Sequence, residues 1–293
     1  MSLTAEPVLE KQTSLGEGAL WDDRTNRLLW VDINEKKLFV FNPADGSNRE
    51  YDTGQMIGTV VPRASGGLIV ALEDQIAVLD PETERMTPLI PVEQDLPTTR
   101  FNDGKCDPAG RFWAGTLNME KGGKPGTFYR IDTDLAITPI LEDVRTSNGL
   151  VWTRDNSLFY YIDTPEYRVD VFDYNLERGT ISNRRIAFEI PREQGGPDGM
   201  TIDTENNLWV AHYGGGCVRC WDPETGRIIE TIEVPGARSI TSCAFGGPDR
   251  STLYITTASQ HMSEQELSEY PASGFLFTAR TPARGRETFE FCG

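Results

Sequence analysis

Short runs of β-branched and aromatic residues recur along the whole chain, and each follows a turn-forming sequence. The six most similar runs lie at 27–32, 67–72, 111–116, 157–162, 207–212 and 252–257. Runs of this composition between turns are typical of β-strands. Their starts are about 40 to 50 residues apart, which is the period of propeller blades.

The other strands of each unit repeat with the same period. A second apolar run lies at 37–41, 75–79, 127–131, 168–172, 217–221 and 274–278. A more polar run follows it, for example at 226–232, as expected for an outer strand that faces solvent. A further short strand begins each unit, so every unit has four. We therefore predict an all-β protein, one domain over 1–293, folded as a six-bladed β-propeller of four-stranded antiparallel blades around a central channel.

The two ends of the chain and one insertion complete this prediction. Segments 7–12 and 287–291 are both strand-like, and we expect one of them to complete a blade begun by the other. Such closure removes an open sheet edge. The irregular stretch 260–272, which contains the helix-like run 263–269, is interpreted as an insertion in the last blade.

Four of the innermost strands begin with a carboxylate or carboxamide directly before a glycine. These residues are Glu17, Asp103 (next to Asn102), Asn148 and Asp198. One such pair alone is an ordinary turn signal. Four of them at equivalent repeat positions predict side chains that converge at one mouth of the channel.

The chemistry of this set predicts a metal site. Carboxylate and carboxamide oxygens suit a hard divalent cation, with Ca²⁺ favoured and Mg²⁺ or Mn²⁺ as alternatives. Zn²⁺ is less favoured because His212 and His261 have no obvious place in the set, although open catalytic sites accept it. The corresponding positions 57–59 and 240–242 of the other two blades offer no carboxylate. The site should therefore be lopsided, with room for a substrate.

Composition excludes several classes of partner. The net charge of −17 disfavours nucleic acid and anionic membranes, which bind Lys and Arg. No apolar run is long enough for a transmembrane helix, and 1–7 lacks the features of a signal peptide. Five cysteines do not suggest a disulfide framework, so we expect a cytoplasmic protein.

Three smaller motifs have two possible interpretations each. Cys217 and Cys220 lie on a predicted strand and should point to opposite faces, which disfavours a shared metal or disulfide. The glycines at 214–216 precede no helix, so they predict a hairpin turn and not a phosphate loop. His212 ends a predicted strand, where it is either an ordinary strand residue or a neighbour of the channel.

Longer motifs carry a resemblance to a known family. The stretches 100–105, 107–111, 159–163, 182–185, 197–200 and 243–247 resemble the regucalcin and gluconolactonase family, and the similarity extends from about residue 15 to the C-terminus. The resemblance implies a six-bladed propeller that holds one divalent metal in its channel and hydrolyses sugar lactones. Luciferin-regenerating enzymes and, more distantly, diisopropylfluorophosphatase and paraoxonase share this architecture.

The resemblance also implies roles for particular residues. The family's metal ligands match Glu17, Asn148 and Asp198. Its substrate contacts match Arg100, Asn102 and Glu120. The loop after Thr116 is where this chain departs from the family pattern, because 121–126 is short and basic.

A mechanism follows as a hypothesis. The cation polarises the lactone carbonyl, and Asp198 acts as the general base toward water. Arg100 and Asn102 would hold sugar hydroxyls or the ring oxygen. The alternative for Arg100 is a structural salt bridge to Asp103, and Asp103 is also the next candidate for the base.

Other functions remain open at this stage. The main alternative is a calcium-binding regulatory protein, although the chain has no EF-hand loop. A hydrolase of the same fold could instead act on a luciferin-type or organophosphate substrate, since fold alone does not determine the substrate. We expect a small-molecule sugar lactone as the partner and a monomer or weak dimer.

Overall fold

A computed structural model describes residues 3–293, and it confirms the predicted all-β propeller. Residues 1 and 2, which begin the segment predicted not to be a signal peptide, lie outside the described residues. Six antiparallel sheets form one ring. In chain order the strands are β1 Leu3–Thr4, β2 Glu6–Leu9, β3 Gly16–Asp22, β4 Arg27–Asp32, β5 Lys37–Asn42, β6 Ser47–Asp52, β7 Thr59–Pro62, β8 Leu68–Ala71, β9 Gln75–Asp80, β10 Arg85–Pro91, β11 Thr99–Cys106, β12 Phe112–Asn118, β13 Gly126–Ile131, β14 Ile137–Val144, β15 Ser147–Trp152, β16 Leu158–Asp163, β17 Arg168–Asn175, β18 Thr180–Glu189, β19 Gly196–Ile202, β20 Leu208–Tyr213, β21 Cys217–Asp222, β22 Arg227–Glu233, β23 Ser239–Gly246, β24 Thr252–Ala258 and β25 Leu276–Arg280.

The first strand of each blade lies innermost. These strands are β3, β7, β11, β15, β19 and β23, and each contacts the next around the ring. They surround a central channel. We call the end where they begin the upper mouth and the end where they finish the lower mouth.

The N-terminus closes the ring. Strand β2 pairs antiparallel with β25, where Glu6 lies opposite Thr278, so the last blade combines the start and the end of the chain. Strand β1 extends the fifth blade by pairing parallel with β22. The prediction that 287–291 is a strand is wrong. Apart from an isolated bridge between Phe291 and Arg63, that segment has no regular pairing, and it crosses the lower mouth.

Aromatic side chains fill the spaces between blades. In one such space, Trp113 packs against Phe128 and Phe159 with ring centroids 5.8 Å apart. Its indole N–H donates to Asp107 in the preceding turn at 2.9 Å, and Trp209 repeats this bond with Asp203 at 3.0 Å. The repeated turn aspartates thus satisfy the polar atoms of buried tryptophans, which would otherwise oppose burial.

The insertion predicted in the last blade is confirmed. It contains the helix α1, Glu264–Glu269, whose start is fixed by a capping box between Ser263 and Glu266. No helix within residues 3–293 is long and apolar enough to cross a membrane. Short 3-10 turns at Thr164–Glu166 and Arg192–Gln194 complete the helical elements of the described chain, and both adjoin the upper mouth.

Candidate functional site

β-Bulges form at the glycine motifs of the four inner strands. The pairing with the neighbouring strand shifts between Glu17 and Leu20 in β3 and between Phe101 and Gly104 in β11. It shifts again between Asn148 and Leu150 in β15, and between Pro197 and Met200 in β19. A bulge bends a strand and redirects its side chains. The motif residues are therefore placed where the inner strands depart from regular geometry.

Three of the predicted site residues meet at the upper mouth. Asp198 interacts with both Glu17 and Asn148, and all three side chains are buried. Asn148 donates its Nδ2 to Thr164 Oγ1 at 3.0 Å, which leaves its Oδ1 as a free acceptor. The Oδ1 atoms of Asn148 and of Asp198 have no hydrogen-bond partner within residues 3–293. Each of these two interacting residues thus keeps one buried oxygen without a donor.

Asp103 adds a third buried carboxylate to this region. Its Oδ1 accepts the amide of Gly104 at 2.7 Å, whereas its Oδ2 has no partner in the described part of the chain. Its charge acts on Glu17 and on Asp198. Asp103 therefore lies close enough to contribute to the negative potential of the mouth.

Burial gives these carboxyl groups unusual proton affinities. It raises the pKa of Glu17 to about 8, and the charge of Asp103 contributes to that rise. Burial, followed by the charge of Glu17, raises the pKa of Asp198 well above its usual range. Burial also raises the pKa of Asp103. Raised carboxyl pKa values show that the site lacks enough positive charge to balance its carboxylates.

Arg100 and Asn102 are held beside the carboxylates. Arg100 is buried, and its Nη1 donates to Phe101 O at 2.9 Å and to Asn102 Oδ1 at 2.8 Å. Asn102 in turn donates its Nδ2 to Ser147 O at 2.7 Å. The alternative expectation of a salt bridge between Arg100 and Asp103 is wrong, because Arg100 forms no ion pair in the described structure. Its charge acts instead on Glu17 and Asp198.

The side chains of the other predicted residues form no hydrogen bond with this cluster in the described structure. Glu120 is exposed on the loop after β12, where its amide donates to Asn118 Oδ1 at 2.8 Å. His212 is buried and stacks on Trp221 with centroids 6.1 Å apart, and burial lowers its pKa to about 3. Its imidazole is therefore neutral. Cys217 and Cys220 are buried and free, as are Cys106 and Cys243, whereas Cys292 is free and exposed.

One supporting residue was missed by the sequence reasoning. Thr164 accepts a hydrogen bond from Asn148 and donates one to Pro197 O at 2.8 Å. It therefore links the starts of β15 and β19 at the upper mouth. It follows the second strand of its blade and lies outside the repeated glycine motif. A lone threonine after a strand carries no signal that distinguishes it from an ordinary turn residue.

The oxygen atoms of Glu17, Asn148 and Asp198 can be assessed for their fit to a metal cation. Residues 3–293 contain no group of three or more His, Cys, Asp or Glu side chains placed to hold a metal. The predicted set differs from such a group because it has two carboxylates and one amide oxygen. Its unpartnered buried oxygens and the raised pKa values of its carboxyl groups are features that a hard cation would balance. The chemistry of Glu17, Asn148 and Asp198 therefore fits a divalent metal.

The fold and the site together define a six-bladed propeller with buried carboxylates at one mouth of its channel. Within that class, the chain belongs to the SMP-30/Gluconolactonase/LRE-like family, whose model matches residues 15–259. The family prediction is thereby confirmed.

The similarity to known proteins extends over almost the whole chain. The protein is 39% identical to regucalcin of Danio rerio over 280 residues, which is 94% of each chain. It is also 39% identical, over 290 residues, to a Bacillus subtilis protein provisionally named a sugar lactone lactonase, covering 98% of this chain and 99% of the relative. Among solved structures, a luciferin-regenerating enzyme matches with a TM-score of 0.92 and 29% identity, covering 99% of both chains. A calcium-binding regucalcin of Agrobacterium tumefaciens matches with a TM-score of 0.93 and 26% identity, covering 99% and 98%.

Proposed function

We propose that this protein hydrolyses sugar lactones with the help of one divalent cation held by Glu17, Asn148 and Asp198. The observation that carries the proposal is the cluster of these three buried side chains, with the unpartnered Oδ1 atoms of Asn148 and Asp198. Family membership supports the substrate class, because one relative is named for a sugar lactone lactonase activity.

The identity of the cation follows from its proposed ligands. All three offer oxygen, so Ca²⁺ is favoured, and Mg²⁺, Mn²⁺ and Zn²⁺ are alternatives. When bound there, such an ion supplies Lewis-acid stabilisation of the negative charge that develops on the lactone carbonyl.

Asp198 is the proposed general base. Its carboxylate has one oxygen without a partner, at the mouth of the channel where a substrate can enter. An ionised Asp198 can accept the proton of a water molecule as that water attacks the lactone carbonyl. Hydrolysis opens the ring and leaves a carboxylate and a hydroxyl. Asp103 is the next candidate for this role because its Oδ2 is also unpartnered.

Arg100 and Asn102 are the proposed substrate contacts. Both side chains are buried, and their hydrogen bonds to each other and to the backbone fix their orientation. The hydrogen bonds of Arg100 in the described structure use only Nη1, so Nε and Nη2 remain available to sugar hydroxyls or to the ring oxygen. A rigid donor loses little entropy on binding, which favours specificity. Glu120, on the exposed loop after β12, is the third proposed substrate contact.

A calcium-binding regulatory role is the second candidate. It is favoured by the likeness to the Agrobacterium protein, which is described as calcium-binding. In that case the cation is the ligand itself, and lactones would not be turned over. A luciferin-type or organophosphate substrate is a further alternative within the hydrolase class, since a luciferin-regenerating enzyme shares the fold.

A lactone panel distinguishes these possibilities. Metal-stripped protein is reconstituted separately with Ca²⁺, Zn²⁺, Mn²⁺ and Mg²⁺, and ring opening of sugar lactones is followed by acid release. We expect no turnover without metal and restored turnover with at least one ion. An Asn148→Ala variant, which removes one proposed ligand, should need more metal for the same rate. Tight calcium binding without hydrolysis of any lactone would instead favour the regulatory role, and full turnover by the stripped protein would exclude the proposed metal dependence.

A further inference from the structure

A separate cavity lies at the lower mouth of the channel. It encloses about 590 Å³ of space, much of which is open to solvent. Its walls come from the ends of the inner strands, and its floor is the C-terminal segment 286–289. The residues of the proposed lactone site do not line it. The cavity is therefore a second concave surface with its own chemistry.

Two tryptophans in its wall carry unused donors. Trp21 is the next-to-last residue of β3 and Trp152 is the last of β15, and both are at least nine-tenths buried. The indole N–H of each has no acceptor within residues 3–293. By contrast, the indoles of Trp113 and Trp209 donate to turn aspartates, as described above. A third unpartnered indole, of Trp221, lies outside the cavity. Two unsatisfied donors thus belong to tryptophans that line one cavity, whereas the tryptophans of the second strands have their acceptors within the fold.

Two cationic side chains reach the same cavity. Arg286 donates its Nη1 to Trp152 O at 2.9 Å and to Thr153 O at 2.7 Å, and its guanidinium lies over the ring of Phe289 at 5.6 Å. The hydrogen bonds of Arg286 in the described chain use Nη1 alone, so its other nitrogens remain available. Lys105 enters from β11 and donates its Nζ to Met200 O. An ammonium has three donors, so two of them stay free for a ligand.

The remaining walls determine the shape and polarity of a ligand. Aromatic and aliphatic residues, such as Trp21, Phe245 and Ile202, form most of the surface. Glu287 is the carboxylate among the lining residues, and it is exposed and forms no ion pair with Arg286 in the described structure. One carboxylate and two cations disfavour a metal ion. An anionic group beside Lys105 and Arg286, joined to a flat apolar body, would satisfy both parts of the cavity.

We propose that the lower-mouth cavity binds a small organic anion with a planar apolar body, of the aromatic carboxylate class. The carboxylate accepts hydrogen bonds from Arg286 and Lys105. The apolar body packs against the aromatic wall, where charge-assisted hydrogen bonds are shielded from water and gain strength. Binding there does not depend on the lactone site, so this proposal stands even if the proposed hydrolysis fails.

Calorimetry on the full chain tests the proposal with 2-naphthoate as the probe. We expect one bound molecule per chain, and binding of neutral 2-naphthamide weaker by about tenfold or more, since hydrogen bonds to a charged group are the stronger kind. Arg286→Met should weaken naphthoate binding by a similar factor. Trp152→Phe keeps a ring in the aromatic wall but removes part of its apolar area, and should weaken naphthoate binding by a smaller factor than Arg286→Met.

Matched controls separate binding from folding. Arg284→Met changes a neighbouring exposed arginine, and Trp221→Phe removes an unpartnered indole outside the cavity, so both should bind naphthoate like the unaltered protein. Arg286→Lys keeps the charge and should recover part of the lost affinity, with melting temperatures compared throughout. The proposal is overturned by any of four results. The first is the absence of binding up to about 10 mM probe, since specific small-molecule sites bind more tightly. The second is equal binding of the neutral amide, and the third is an equal loss of affinity in the control variants. The fourth is loss of naphthoate binding in Asp198→Asn, which would place the probe at the upper mouth.

Discussion

At the scale of single residues, Asp198 has two proposed tasks that a conservative substitution can separate. Asp198→Asn keeps the size of the side chain and one oxygen ligand but removes the charge and the ability to accept a proton. We expect metal affinity to fall moderately and lactone turnover at saturating metal to fall by about 10²- to 10⁴-fold, the usual loss of a general base. Steady-state kinetics measure the turnover, and calorimetry measures the metal affinity independently.

Glu17→Gln is the matched control for that experiment. Glu17 is proposed as a ligand only, so its neutral variant should bind metal more weakly and should recover much of its turnover once metal is saturating. Near-native turnover of Asp198→Asn under the same conditions would show that Asp198 is merely a ligand. Asp103, whose Oδ2 is unpartnered, would then be tested as the base.

The raised pKa of Glu17 predicts that metal binding releases protons. In the metal-free protein this pKa rises from 4.5 to about 8, so the carboxyl keeps most of its proton at pH 7. A bound cation requires ionised carboxylates. Binding at pH 7 should therefore release about one proton or more, and metal affinity should increase with pH until about pH 8. Calorimetry in two buffers of different ionisation enthalpy counts the protons.

The raised pKa of Glu17 also determines how the stability of the protein depends on pH. A folded-state pKa above the unfolded value contributes stability that is complete below about pH 4.5 and is lost as the pH rises through about 8. Metal-free protein should therefore lose stability across that window, and metal-loaded protein should not. Glu17→Gln should release fewer protons on metal binding. Proton release that is unchanged in this variant would contradict the assignment of Glu17.

At the scale of elements, three of the four bulge glycines, Gly104, Gly149 and Gly199, have no room for a Cβ atom. A Cβ on Gly149 would lie 2.8 Å from the carbonyl oxygen of Asp198 and 2.8 Å from a side-chain atom of Met200. Gly149→Ala should push β15 away from β19. We expect a loss of about 1–3 kcal/mol in the free energy of unfolding, together with weaker metal binding, because Asn148 and Asp198 would separate. Urea denaturation and metal titration measure the two effects.

Gly46→Ala is the control for this prediction. Gly46 lies in an exposed turn with a φ of +74° and no atom within 4 Å of an added Cβ. Its replacement should cost only the strain of that backbone conformation, about 1–2 kcal/mol, without a change in metal affinity. Equal metal affinities in the Gly149 and Gly46 variants would show that the bulge does not position the ligands.

The elements also show which parts of the site were predictable from sequence. The strand period and the oxygen-bearing residue before each glycine are local patterns, so they could place Glu17, Asp103, Asn148 and Asp198 at one mouth. The choice of Glu17, Asn148 and Asp198 as ligands came from the resemblance to the family and stays a prediction. Such patterns do not determine the geometry of a bulge, because that geometry depends on how two strands pair. The same limit explains Arg100, whose guanidinium bonds to Phe101 O and Asn102 across the bulge of β11 and not to Asp103. The role of Thr164 could not be predicted for a similar reason, since its two hydrogen-bond partners come from different blades.

At the scale of the whole molecule, strand β2 closes the ring of blades. Its pairing with β25 covers the backbone of that strand, and Val8 and Leu9 pack against a core cluster that includes Leu276. Deletion of residues 1–9 should expose that edge and lower the melting temperature by about 5–10 °C, with aggregation as a second consequence. Differential scanning calorimetry and light scattering measure the two effects.

Deletion of residues 1–4 is the control, because it removes β1 from the outside of the fifth blade and leaves the ring closure intact. We expect a much smaller change in melting temperature. Equal effects of the two deletions would mean that β2 contributes nothing particular to closure. Sequence alone could not choose between the two ends of the chain, since 7–12 and 287–291 have similar apolar patterns. The choice depends on which segment reaches the free edge of β25.

The pairing of Glu6 with Thr278 also constrains how the protein is made. The residues of β2 are synthesised long before their partner strand, because the other five blades lie between them in the chain. The four antiparallel strands of each of those blades are contiguous, so they can assemble in sequence while translation continues, but the sixth blade must wait until β25 has been synthesised. During that interval the nascent chain carries an unpaired N-terminal strand, which could pair with another chain. We therefore expect ring closure to be the slow and chaperone-dependent step of its biosynthesis.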